Sequence, residues 1–133
     1  MANTKIVQAS GARKEAVARS TIKAGKGIIK INGQLLDNFS NHMSRLRISE
    51  PLVLAGDVIK KIDVSVSVNG GGVNGQADAI RLAIARALVE FDKNLEKVFN
   101  DYDRLLLVAD VRRKEACKPN DSKARAKRQK SYR

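Results

Sequence analysis

The sequence predicts an α+β fold: a two-layer domain in which a mainly antiparallel, half-buried sheet carries its helices on one face. Three observations predict it. Two segments alternate apolar and polar residues with a period of two, residues 73–92 repeat apolar side chains at helical spacing, and turn residues stand at the joints. A chain of 133 residues can build one core and is too short for two domains of ordinary size. With three Phe, two Tyr and no Trp, that core is mostly aliphatic.

The elements follow in chain order. KIVQAS (5–10) is a short strand, and EAVARSTIKAG (15–25) places Ala16, Ala18, Ser20, Ile22 and Ala24 on one side and Val17, Arg19, Thr21 and Lys23 on the other. The intervening GARK is then a hairpin loop that presents Arg13 and Lys14. In GIIKINGQLL, Asn32-Gly33 supplies the two positive φ angles of a type I′ turn and predicts a second hairpin. Residues 38–57 read as helical, capped by Ser40 or Asn41, broken or restarted at Pro51 and ended by Gly56.

KKIDVSVSVNGGG is the cleanest strand, with Ile62, Val64, Val66 and Val68 facing inward and Asp63, Ser65 and Ser67 outward. The main core helix follows, with Ala77, Ile80, Ile84, Leu88 and Phe91 on one stripe, and it continues or restarts through Asn94 to Phe99. RLLLVAD (104–110) is a short strand or helical turn that docks the end of the domain, so residues 1–111 form the globular unit and 112–133 an extended basic tail.

Charge supports that division. Residues 112–133 hold ten Lys or Arg against Glu115 and Asp121, a net of +8 out of +12 for the whole chain. A block of this kind buries no apolar surface and repels itself, so it waits for a polyanion, and nucleic acid is the leading partner. A membrane is a poor fit, since no stretch approaches the ~20 apolar residues of a span and the tail has no apolar face. The amino-terminal residues lack the apolar core of a secretion signal, which predicts a cytoplasmic chain. Cys117 and His42 are each the single residue of their type, leaving disulfides, Cys or His metal clusters and His-dependent triads without partners.

One loop resembles enzyme machinery. Gly70, Gly72 and Gly75 satisfy G-x-G-x-x-G between a strand and a helix, but the strand alternates where a dinucleotide-binding strand is continuously apolar. Read as a P-loop, the same segment has Gln76 and Ala77 where Lys and Ser or Thr would hold phosphate and magnesium. What remains is a glycine turn at a helix N-terminus, a backbone anion site suited to an RNA phosphate. The carboxylates are scattered beside basic residues, so no catalytic constellation, cofactor or small-molecule substrate is expected. A nucleotide-binding enzyme and a DNA-compacting protein are the rival readings.

Three stretches carry a family resemblance: GARKEAVARSTIKAGKGIIKING, VSVNGGGVNGQADAIRLAIARAL and LLLVADVRRKEACKPNDSKARAKRQKSYR. Together they resemble small-subunit ribosomal protein nine in its archaeal and eukaryotic form. The resemblance implies a fold related to the second domain of ribosomal protein five, and a place in the subunit head among neighbouring head proteins, bound to the 3′ major domain of 16S-type ribosomal RNA. It implies that Arg13, Lys14, Lys26, Gly70, Gly71, Gly72 and Gln76 lie near ribosomal RNA. Arg112, Arg113, Lys114, Lys123, Arg125, Lys127 and Arg128 match the segment that threads through RNA. Lys130, Tyr132 and Arg133 match the tip, which the family directs to the anticodon stem-loop of transfer RNA in the peptidyl site.

Overall fold

Every second residue of strand β2 (Ala16–Ala24) is buried as far as Ile22, and the same is true of its partner, the central strand β5 (Ile62–Asn69), throughout. Their antiparallel register sets Ala18 opposite Val68, Ser20 opposite Val66 and Ile22 opposite Val64, which makes one apolar face. Ala24 shares that parity but is exposed, because it lies where the sheet ends. This computed structural model describes residues 5–127, Gln129, Ser131 and Tyr132.

β1 (Val7–Arg13) pairs antiparallel with β2, and β3 (Ile29–Ile31) pairs antiparallel with β4 (Gln34–Leu35) through a turn in which Asn32 and Gly33 take φ of 51° and 82°. The second hairpin is therefore formed by the predicted turn chemistry. β5 then enters between β2 and β3, antiparallel to the first and parallel to the second, giving the order β1-β2-β5-β3-β4. The sheet is thus mixed, with one parallel pairing among antiparallel ones.

The core lies between this sheet and helix α2 (Val73–Phe91), which packs on β1, β2 and β5. Its buried side is wider than a single stripe, taking in Ala79, Leu82, Ala83, Ala85 and Ala87 besides Ala77, Ile80, Ile84 and Leu88. The reason is that α1 (His42–Ala55) and α3 (Leu95–Tyr102) pack against α2 as well as the sheet does. Small side chains let the layers approach closely. At Gly11 on β1 an added Cβ would stand 2.6 Å from the Ala79 carbonyl oxygen and 2.7 Å from the Ala83 nitrogen.

The Asn41 side chain caps α1 by accepting from the Ser44 amide at 2.8 Å. Contrary to the expected break, α1 runs through Pro51 without interruption. Proline removes one backbone bond, and burial of its ring against the core offsets the loss. The Asp92 side chain accepts from the Asn94 amide in the turn between α2 and α3, so the helix restarts rather than continues. RLLLVAD supplies a 3₁₀ turn, Arg104–Leu106, that buries Leu106. Arg86 then joins this end of the chain to the free edge of β1, donating to the carbonyls of Leu107 and Ser10 at 3.0 Å each.

Candidate nucleic-acid interface

The first predicted motif differs from its expected geometry. β1 continues through Arg13, so GARK is not a four-residue loop, and the turn is Lys14-Glu15 alone, with Lys14 at φ 54°. Lys14 is exposed at the tip, whereas Arg13 is only 17% exposed at its side chain. The Arg13 guanidinium lies 2.8 Å from Asp110 and 3.7 Å from Asp78, and Asp78 also pairs with Arg47 at 3.0 Å.

The glycine turn packs directly on this hairpin. Gly70 and Gly71 have φ of 76° and 68°, and a Cβ at Gly70 would stand 2.5 Å from the Glu15 carbonyl oxygen. At Gly71 it would stand 2.9 Å from both the nitrogen and the Cβ of Ala16. Glycine is needed here for backbone conformation and for close approach. Gly72 caps α2 without a side chain, and no acidic residue occupies the first helical turn. Gln76 closes the turn by donating from Nε2 to the Gly70 carbonyl at 3.0 Å, so its amide serves the loop. Amide groups in the first turn of a helix lack intrahelical partners and carry the positive end of its dipole. Arg13, Lys14, Glu15 and residues 71–75 border a hollow of about 360 Å³ there.

The third motif returns to the same place. Arg113 Nη1 donates to the Lys14 carbonyl at 3.0 Å, and Arg112 grips Asp110 through Nε and Nη2 at 3.1 and 2.7 Å. Hydrogen bonds from the Arg112 side chain and backbone, with the nearby charge of Arg13, hold the Asp110 carboxyl well below the usual carboxylate range. Arg13, Lys14, Arg112, Arg113 and Lys114, with Glu15, line a second hollow of about 560 Å³. Three stretches far apart in sequence therefore converge on the β1–β2 turn.

Lys26 is not part of this cluster. It lies beyond the other end of β2, about 25–30 Å away along the strand. Its loop is held by Asp63, whose Oδ1 accepts from the amides of Lys26 and Ile28 at 2.8 and 3.0 Å. Bonds from the Ile28 and Lys26 amides keep the Asp63 carboxyl below its ordinary value. Lys26 itself is exposed on a rigid support.

After Arg104–Leu106 the described residues form no helix or strand, and 111–120 are exposed. Arg125 pairs with Glu115 at 2.9 Å, while Lys123, Lys127 and Tyr132 are exposed. Arg128, Lys130 and Arg133 lie outside the described residues. Sequence reasoning missed Asp78, Asp110 and Arg47, the side chains that organise Arg13. The one available signal was Asp110 two residues before Arg112. Among the described residues no cluster of His, Cys, Asp and Glu could hold a metal ion, and no helix is long and apolar enough to cross a membrane.

The sequence profile of the family described as ribosomal protein S9/S16 matches residues 11–133. The chain is similar to the small ribosomal subunit protein uS9 of Thermoplasma volcanium, 55% identical over 93% of this chain and 96% of the relative. It is also similar to the proteins of the same name from Methanothrix thermoacetophila and Pyrobaculum aerophilum, each 47% identical over 97% of this chain and over 99% and 92% of the relatives. The chain belongs to the ribosomal protein S9/S16 family and is a structural, non-enzymatic constituent of the small ribosomal subunit in the cytoplasm.

Proposed function

We propose that this protein binds 16S-type ribosomal RNA of the 3′ major domain in the subunit head, among neighbouring head proteins, and reaches with its C-terminal arm toward the anticodon stem-loop of peptidyl-site transfer RNA. The observation that carries this reading is the convergence of Lys14, the Gly70–Gly72 turn and Arg112–Lys114 at one end of the sheet. Amides at a helix N-terminus and several cations there form a phosphate-binding corner, and the basic residues from Lys123 onward extend the same chemistry along the chain. In this reading residues 1–111 are the folded unit and 112–133 the arm. Lys26 forms a separate RNA contact at the far end of the sheet. The family resemblance further relates the fold to the second domain of ribosomal protein five.

Short, sequence-tolerant contacts to phosphate and ribose suit this composition better than base readout. An arm that neutralises about six phosphates loses on the order of a thousandfold in affinity between low and moderate salt. The test is directed hydroxyl-radical probing with an iron chelate on Arg133→Cys in a Cys117→Ser background, assembled into small subunits carrying transfer RNA. Cleavage in the anticodon stem-loop is expected. Cleavage confined to ribosomal RNA would reduce the arm to an assembly clamp.

A further inference from the structure

The face of the sheet turned away from the helices has no covering layer. Two rows of side chains run across its middle, set by the register. Ser10, Arg19 and Ser67 make one row, and Gln8, Thr21, Ser65, Lys30 and, at the β4 edge, Leu35 the other. All are exposed except Thr21, which is half-buried. Gln8, Ser10, Arg19, Thr21, Ser65 and Ser67 border a shallow hollow of about 420 Å³.

The charge on this face is mostly positive, although the exposed Glu15 lines a neighbouring hollow together with Val17, Arg19 and Ser67. Neither row contains a carboxylate, and Asp63, in the next row opposite Lys23, is held by the Lys26 and Ile28 amides. Among the described residues of the folded domain, Arg19 and the exposed Arg104 are the arginines whose side chains are not engaged within the protein. Arg13, Arg47 and Arg81 form ion pairs within the protein, and Arg45 and Arg86 donate to backbone carbonyls. Arg19 makes neither kind of contact among the described residues.

We propose that this open sheet face is a second RNA-docking surface, on which Arg19, flanked by Lys23 and Lys30, receives the sugar-phosphate backbone while the Ser and Thr hydroxyls meet phosphate oxygens and ribose 2′-hydroxyls. The inference rests on the RNA-binding reading above and adds a surface that the corner and the arm do not include. Three features select RNA backbone over other occupants. Short hydroxyl side chains let a phosphate chain approach the sheet closely. No aromatic residue stands in either row, so nothing offers bases a stacking platform. The exposed apolar residues Ile6, Val17, Ile28 and Leu35 sit at or beyond the strand ends around a polar centre, the reverse of a protein interface with an apolar core and polar rim.

The test compares binding of the full-length chain to a head-domain ribosomal RNA fragment across a salt series. Arg19→Glu should weaken binding about tenfold or more and reduce the slope of log affinity against log salt by about one. Its circular dichroism spectrum should match that of the parent, because the residue is exposed. Ser65→Cys in a Cys117→Ser background, carrying a photoreactive thiol label, provides a conservative second readout and should cross-link to RNA in assembled subunits. If Lys14→Ala with Arg113→Ala weakens binding but Arg19→Glu does not, the sheet-face proposal is overturned and the RNA reading stands. Cross-linking of Ser65→Cys to a neighbouring protein would also overturn it. Absence of RNA binding by the parent chain would overturn both.

Discussion

Arg113 donates to the backbone carbonyl of Lys14 at 3.0 Å, tying the start of the C-terminal segment to the β1–β2 turn. Arg112 is held next to it by Asp110, which also receives Arg13. The direction in which the segment leaves the domain is thus set by the folded protein. One exposed hydrogen bond contributes little stability, so Arg113→Ala should change the unfolding free energy by less than about 1 kcal/mol. The same substitution should raise amide hydrogen exchange in 111–116 and speed proteolysis there. Unchanged exchange would mean that Arg112 and Asp110 suffice.

Gly11 is where β1 and α2 come closest. A methyl group there meets the backbone of Ala79 and Ala83, neither of which can yield without moving the helix. Gly11→Ala should therefore destabilise by about 1–3 kcal/mol, the range of overpacked core sites. Urea denaturation measures this directly, and a loss near zero would show that the two layers can separate without cost.

Arg81 joins three elements. From α2 it donates to Glu50 on α1 at 2.7 Å and to Asp103, before the last helical turn, at 2.9 Å. Its side chain is 12% exposed, while the carboxylates are about one-third exposed. Desolvation opposes its charge, yet both carboxylates together raise its affinity for the proton. Arg81→Ala should cost about 2 kcal/mol, below the range for breaking a fully buried pair because water screens the carboxylates. Arg81→Met should recover part of the loss by restoring packing, and thermal unfolding of the two variants separates packing from charge.

Stability should fall in acid. Asp63, Asp103 and Asp110 all have lowered folded-state pKa values, so the unfolded chain binds protons first as pH drops. Their contribution is full above the unfolded value near 3.9 and disappears as pH passes down through the folded values. Melting temperatures should be level from about pH 7 to 5 and decline below about pH 4. Asp63→Asn should flatten part of that decline, and an identical acid profile in the variant would remove Asp63 from the account.

Much of the fold was legible because it depends on neighbours in the chain. β2 and β5 alternate since each has one buried face, Asn32-Gly33 dictates its own turn, and the α2 stripe repeats at the helical period. The basic charge of residues 112–133 is a matter of composition, since like charges in a row need no fold to be recognised. Tertiary structure decided what depends on faces meeting in space. It inserted β5 beside β3 in parallel, carried α1 through Pro51 by burying the ring, and widened the buried side of α2 by laying two helices on it. It also separated two arginines that look alike in sequence. Arg13 is engaged by Asp78 and Asp110, brought from α2 and from the end of the domain, while Arg19, six residues on, lies exposed on the open sheet face and pairs with no carboxylate among the described residues. Charge pairing is a matter of distance between side chains, and those distances exist only once the non-local strands and helices have packed.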